Sequence, residues 1–112
     1  VTDVYNRRCS VTHEKTLPAL EAAHIKPFSN SGPHTVQNGI LLRSDIHRLF
    51  DSGYVTFTKD YRFEVSRSIR DEFENGKDYY ALQGRSLSMP VDMKMKPNDE
   101  FISWHNENVY RG

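Results

Sequence analysis

The chain has 112 residues, of which 37% are hydrophobic and 27% are charged. This composition excludes an intrinsically disordered chain and is ordinary for one domain with a modest core, which we assign to residues 1–112. Fifteen basic and fifteen acidic side chains cancel, which excludes the strong positive excess of a dedicated non-specific DNA-binding protein.

The cysteine count and the hydropathy of the chain indicate in which cellular compartment the protein occurs. Cys9 is the only cysteine, which excludes a disulfide framework and a zinc ribbon of CxxC pairs, so we interpret it as a small buried residue. No apolar run approaches the roughly 20 residues of a membrane span, and no signal peptide is visible. We therefore expect a cytoplasmic protein. Because the chain begins with Val1 and not Met, we also expect it to be a fragment of a larger protein.

The first part of the chain is predicted to contain the end of a helix, three strands and a loop. Residues 27–37 are rich in Ser, Asn, Gly and Pro, a composition typical of a loop. The apolar run after this loop indicates a buried strand. In chain order the predicted elements are a helix end at 1–8, strands at 9–12 and 17–25, the loop, and a strand at 38–43.

The rest of the chain is predicted to hold three helices and a hairpin. Ser44 is expected to cap a helix that Gly53 ends, and Asp45 suits the positive end of the helix dipole. β-Branched and aromatic residues predict a β-hairpin over 54–58 and 62–66. The later elements are a short helix at 69–75, a surface segment at 85–97, and a helix that starts after Asn98 and packs through Phe101, Ile102, Trp104 and Val109. The fold class is therefore α+β.

Three residues at fixed spacings, His24, Asn38 and His47, suggest the hydrolysis of a phosphodiester with the help of a metal ion. The unperturbed pKa of histidine, near 6.5, leaves His24 neutral at pH 7 and able to take a proton from a water. The side-chain amide of Asn38 can bond backbone groups on both sides of the loop and so hold His24 in place.

His47 and Asp51 are predicted to lie one turn apart on the same face of a helix, because they are at positions i and i+4. An imidazole and a carboxylate in this arrangement can hold one metal ion and leave coordination positions open for phosphate and water. Asp51 has a second interpretation, because an aspartate before Ser52-Gly53 can bond the backbone of the turn.

The stretches AAHIKPF and NGILLRSDIHRLFDSGYVTF resemble the HNH endonucleases of the ββα-metal (His-Me finger) superfamily, in a branch found among restriction endonucleases. The resemblance covers about residues 9–58. It implies a ββα-metal finger, here extended by a β-hairpin and a C-terminal helix. It also implies that His24 is the general base, Asn38 the structural asparagine and His47 a metal ligand. Asp51 stands where the related colicin DNases have a second histidine.

One position departs from the family pattern. Many family members have Asp, Glu or His immediately before the general base, where it binds metal, and this chain has Ala23. Strand periodicity places Glu21 on the same face as Ala23, so its longer side chain is a weak candidate for the missing ligand, and a water is the alternative. We expect one divalent metal, most simply Mg²⁺, with Mn²⁺, Ni²⁺ and Zn²⁺ as alternatives.

The remaining charged and histidine residues have no spacing that assigns them a catalytic or metal-binding role. Lys26, Arg43 and Arg48 flank the HNH motif and are candidates for DNA phosphate contacts, although each could equally be a solvated surface residue. We interpret the other three histidines as structural or exposed: His13; His34, in the loop, where it could touch DNA; and His105, half exposed beside Trp104.

The sequence predicts a metal-dependent DNA endonuclease. Because its net charge is too low to bind DNA strongly alone, we expect it to be joined to a target-recognition domain in a restriction or defence enzyme. A homodimer would allow both strands to be cut. The alternative is a non-catalytic, metal-stabilised DNA-binding or interaction module that keeps an HNH-like fold.

Overall fold

A two-stranded hairpin and the helix that follows it form the centre of the fold. The computed structural model describes residues 2–90 and 92–112. Strands β1 (Leu20–His24) and β2 (Gly39–Arg43) pair antiparallel, with Leu20 opposite Arg43 and His24 opposite Gly39. Helix α1 (Ser44–Asp51) begins directly after β2. This direct succession fixes the helix relative to the hairpin, as the predicted order of strand, loop, strand and helix requires.

A second hairpin and three further helices complete the α+β fold. Strands β3 (Val55–Phe57) and β4 (Phe63–Val65) pair antiparallel, which confirms the predicted hairpin. They are followed by α2 (Ser68–Phe73), α3 (Lys77–Tyr80) and α4 (Asp99–Asn108). The side chain of Asn98 accepts a hydrogen bond from the backbone N–H of Glu100 at 2.8 Å, so the predicted cap of the last helix is confirmed. Short 3₁₀ turns lie at Asp3–Tyr5, Leu17–Ala19, Phe28–Asn30, Val36–Asn38 and Met93–Met95.

The core lies between the first hairpin, α1 and the second hairpin. Ile46 and Phe50 occur four residues apart on α1 and are both fully buried, as expected for one face of a helix. α4 packs on β3 and contributes Ile102. Cys9 is buried, as predicted. In residues 2–90 and 92–112, no helix has the length and apolarity needed to cross a membrane.

Several sequence predictions about elements are wrong. Residues 9–12 form turns and not a strand. The chain reverses here, so that the N–H of Cys9 donates to the carbonyl of Glu14, five residues further on, at 2.9 Å. The strand predicted over residues 17–25 begins only at Leu20, after a 3₁₀ turn that contains Pro18. The helix end predicted over residues 1–8 is reduced to the turn Asp3–Tyr5, with Val1 outside the described residues. α3 was not predicted.

Two further expectations, one about Ser44 and one about the segment 85–97, are also corrected. Ser44 is the first residue of α1 and does not cap it, since its hydroxyl donates to the carbonyl of Ala19 at 2.9 Å. This bond ties the start of the helix to the start of β1. The segment 85–97, which has Val91 outside the described residues, does not only run over the surface, because Leu87, Pro90 and Pro97 are buried.

Candidate active site

The buried side chain of Asn38 closes the loop between β1 and β2. Its Oδ1 accepts a hydrogen bond from the N–H of Lys26 at 2.8 Å. Its Nδ2 donates to the carbonyl of Lys26 at 2.8 Å and to that of Pro33 at 2.9 Å. The side chain of Asn38 is fully buried, and its three bonds connect the end of the loop to Lys26, near the start of the loop, and to Pro33.

Gly32 allows the loop to pass close to its own beginning. A Cβ atom at this position would lie 1.8 Å from the carbonyl oxygen of Lys26, which is far inside contact distance. The N–H of Gly32 donates to the carbonyl of Pro27 at 2.9 Å. The loop is thus compact at both ends, and it fixes the backbone that leaves β1 after His24.

His24, at the end of β1, contacts a second histidine. Its Nε2 lies 3.2 Å from Nδ1 of His34, and the centroids of the two rings are 5.2 Å apart. His34 is exposed, as the sequence predicts, but its contact with the proposed base was missed. No signal in the sequence could have revealed it, because the contact depends on how the loop folds back.

His47, on α1, is placed between two carboxylates. Its Nδ1 lies 2.7 Å from Oε1 of Glu21, and its Nε2 lies 3.1 Å from Oδ2 of Asp51. The hydrogen bond with Asp51, assisted by the one with Glu21, raises the pKa of His47 to about 8, against the opposing effect of partial burial. The ring therefore carries a proton at neutral pH when no metal is bound.

The two carboxylates approach different nitrogens of the His47 ring, Nδ1 and Nε2, and these nitrogens point in diverging directions. One cation therefore cannot meet all three residues in this arrangement, and in residues 2–90 and 92–112 no group of three or more His, Cys, Asp or Glu side chains is placed to hold a metal ion. Nε2 of His47 and the carboxylate of Asp51 are close enough to share one cation. Glu21, on Nδ1, is placed instead to orient the ring.

His24, His47 and Asp51 line the same cleft, which has a volume of about 390 Å³. The base and the metal-ligand pair predicted from the sequence are thus brought to one face of the molecule. Phe28 stands at the wall of this cleft with 82% of its surface exposed. The other residues that line the cleft are Ala22, Ile25, Pro27, His105 and Val109.

Residues 9–58, which include His24, His47 and Asp51, match the family model described as HNH endonuclease. These residues therefore resemble an HNH endonuclease domain. The fold of the whole chain is similar to that of the solved "Modification dependent TagI restriction endonuclease", with a TM-score of 0.66 and 21% sequence identity over 97% of this chain and 35% of that chain. The present chain therefore spans about a third of the length of that protein. No curated protein matches the chain.

The predicted departure from the HNH pattern has a structural counterpart. The side chain at this position is the methyl group of Ala23, which has no atom that can bind a metal, and it is buried, with 2% of its surface exposed. Glu21 is exposed and reaches His47 from the other side of the ring. The HNH motif of this chain thus presents a smaller set of ligands than the family pattern leads one to expect.

The basic residues that flank the HNH motif differ in their surroundings. The guanidinium of Arg43 makes two hydrogen bonds to Asp45, at 2.7 and 3.0 Å. The ammonium of Lys26 lies 5.6 Å from the centre of the Trp104 ring. Arg48 is exposed on α1. A DNA contact by Arg43 would therefore compete with an existing ion pair, whereas Arg48 lies at the surface of the helix that carries His47.

Proposed function

We propose that this chain is the metal-dependent DNA-cleaving domain of a restriction enzyme. The observation that carries the proposal is the placement of His24, His47 and Asp51 on one cleft, in a segment that matches the HNH endonuclease family. A general base opposite a pair of metal-binding side chains, with open space between, suits hydrolysis of a phosphodiester.

In the proposed reaction His24 takes a proton from water. The water oxygen attacks phosphorus, the bond to the 3′ oxygen breaks, and the 3′ oxygen takes a proton from solvent, which leaves 5′-phosphate and 3′-hydroxyl ends. Asn38 keeps the loop next to His24 in place through its three bonds to backbone. The basic side chains of Lys26, Arg43 and Arg48 are the proposed contacts to DNA phosphates.

His47 and Asp51 are the residues that would hold one divalent metal, and Glu21 would orient the His47 ring. When bound, such an ion neutralises charge on the phosphoryl and leaving oxygens. An imidazole and a carboxylate fit this group, because both are common ligands of divalent metals. We propose Mg²⁺, with Mn²⁺, Ni²⁺ and Zn²⁺ as the alternatives to be compared.

The proposed setting is a restriction or defence enzyme in the cytoplasm. The chain spans 35% of the similar restriction endonuclease, which supports a separate target-recognition domain in the same protein. The "modification dependent" description of that enzyme makes modified DNA the first substrate to test. A homodimer would place two clefts on opposite strands. The single cysteine, which cannot form a disulfide within the chain, supports the cytoplasmic location.

A plasmid-nicking assay tests the proposed function. The wild-type chain is incubated with supercoiled plasmid and Mg²⁺, Mn²⁺, Ni²⁺ or Zn²⁺, with EDTA as the metal-free arm. We expect metal-dependent nicking that His24→Ala reduces at least about 100-fold, the usual contribution of a general base. His13→Ala is the matched control, because His13 is an exposed histidine that bonds to Ser88 and does not line the cleft of His24, His47 and Asp51; it should nick like wild type.

The absence of a donor at Ala23 favours one alternative, a non-catalytic DNA-binding or interaction module stabilised by metal. The same assay separates the two. A gel shift of plasmid fragments with no nicking in any metal would support the module and contradict the nuclease. Nicking that survives in His24→Ala at the wild-type rate would show that another group is the base.

A further inference from the structure

His34 is placed to fix the ring of His24. The carbonyl of Pro33 accepts a hydrogen bond from Asn38 at 2.9 Å, which anchors the backbone immediately before His34. Nδ1 of His34 then lies 3.2 Å from Nε2 of His24. The buried asparagine therefore anchors the backbone next to both histidines, at Lys26 and at Pro33.

This contact restricts which nitrogen of His24 can act as a base. A neutral imidazole has one N–H and one basic nitrogen. Among the described residues, Nδ1 of His24 makes no hydrogen bond, whereas Nε2 is in contact with His34. If Nδ1 takes the proton from water, Nε2 must carry the ring's own proton and donate it to Nδ1 of His34. His34 must then hold its proton on Nε2.

We propose that His34 is a positioning residue for His24: by accepting a hydrogen bond from Nε2–H, it selects the tautomer that leaves Nδ1 of His24 basic. The inference rests on the proposed nuclease function. When His24 takes a proton, its Nε2–H becomes part of an imidazolium, and the hydrogen bond to the neutral His34 becomes charge-assisted and stronger. His34 thus acts on His24 as the third member of a catalytic triad acts on its histidine, with a neutral ring in place of a carboxylate.

Two substitutions distinguish the effect of the hydrogen-bond acceptor of His34 from that of its aromatic ring. His34→Phe keeps an aromatic ring and removes the acceptor. His34→Asn removes the ring and keeps an acceptor, because its amide oxygen occupies the same place along the side chain as Nδ1 of histidine. We expect His34→Phe to lower kcat about 10-fold or more with KM within about twofold of wild type. His34→Asn should keep kcat within about threefold. Because His34 is exposed, both variants should melt like wild type.

A role in DNA contact predicts a different result. In that case His34→Phe would raise KM and weaken plasmid binding without metal, and leave kcat unchanged. Equal loss of kcat in His34→Phe and His34→Asn, or wild-type kcat in His34→Phe, would also overturn the proposal.

Long-range ¹H–¹⁵N NMR of the histidine rings tests the same proposal without activity. We expect His24 of the metal-free wild-type protein to carry its proton on Nε2 at pH 8, and His34→Phe to show a mixture of both tautomers. An unchanged tautomer in His34→Phe would overturn the role of His34. If no metal supports nicking, the proposed function fails, and this spectrum still decides whether His34 positions the ring.

Discussion

Both nitrogens of the His47 ring face a carboxylate, and only the protonated ring can donate to both. Glu21 lies at 2.7 Å from Nδ1 and Asp51 at 3.1 Å from Nε2. A neutral imidazole has a single N–H, so one of these contacts would lose its hydrogen. This is the physical reason for the raised pKa of His47, about 8. Below that pH, a divalent metal at Nε2 must displace a proton, so metal binding should strengthen as pH rises.

At the residue scale, we predict that removing either carboxylate lowers the pKa of His47. In Asp51→Asn and in Glu21→Gln the imidazolium loses a charged acceptor, so it gives up its proton at a lower pH than in wild type. The pKa is measured by NMR titration of the His47 ring in metal-free protein. Asp60→Asn, which changes a carboxylate in the turn of the second hairpin, is the control and should leave the pKa at about 8. An unchanged value in both test variants would contradict the ion pairs.

At the element scale, α4 is fastened to the rest of the fold through His105. The ring stacks on Phe50 with a centroid distance of 3.7 Å. Its Nε2 donates to the carbonyl of Phe50 at 2.8 Å, and its Nδ1 accepts from the hydroxyl of Thr56 at 2.7 Å. The expectation of a half-exposed His105 is therefore wrong, since only 2% of its surface is exposed. Because Phe50 precedes Asp51, α4 braces the end of α1 that carries the proposed metal ligand.

The burial of His105 predicts a loss of stability in acid. Burial lowers the pKa of His105 to about 4, below its value of about 6.5 in the unfolded chain. Between these values the unfolded chain binds the proton more strongly, so the free energy of unfolding falls as the pH falls from about 6.5 to about 4. For this one group we expect a loss of about 2 kcal/mol between pH 7 and pH 5.

Urea denaturation at both pH values measures this effect. His105→Gln removes the titrating ring, so the variant should be less stable than wild type at pH 7, but its own loss between pH 7 and pH 5 should be smaller by about 2 kcal/mol. Contributions from other titrating groups cancel in the difference between the two proteins. Equal losses in both proteins would show that His105 does not resist protonation in the folded state.

Elements with local signals could be predicted from the sequence, and those fixed by distant contacts could not. Asn98 caps α4 with its own side chain, and β-branched and aromatic residues mark the second hairpin. The bond of Ser44 to Ala19, by contrast, crosses from α1 to the residue before β1. Nothing adjacent to Ser44 in the sequence distinguishes that bond from a cap, so the prediction failed there.

The candidate site divides in the same way. The spacing of His24, Asn38 and His47 could be recognised because two short strands and one helix convert sequence intervals directly into positions. The contact between His24 and His34 and the burial of His105 depend on loop shape and on packing 49 to 55 residues away. Such partners are set by tertiary structure, and a histidine alone does not reveal them.

At the scale of the whole molecule, the balanced charge predicts weak binding to DNA. With fifteen basic and fifteen acidic side chains, few counterions can be released when the chain meets a duplex. We expect a Kd of about 10⁻⁶ M or weaker for a 20-base-pair duplex at physiological salt, in the range of non-specific binding. Fluorescence anisotropy without metal measures it, and Arg48→Glu should weaken binding further, whereas Glu107→Gln, a change on exposed α4 surface, should not. Nanomolar binding to unmodified DNA would contradict the need for a recognition domain.

Asn38 grips the loop only through main-chain atoms, the N–H and carbonyl of Lys26 and the carbonyl of Pro33. The side chains of residues 28–31 make none of these bonds. Gly32, in contrast, is required because the chain passes close to the carbonyl of Lys26 at this position. Substitutions at Phe28 and its neighbours can therefore change which groups the cleft contacts, while the backbone bonds that hold His24 and His34 in place are kept.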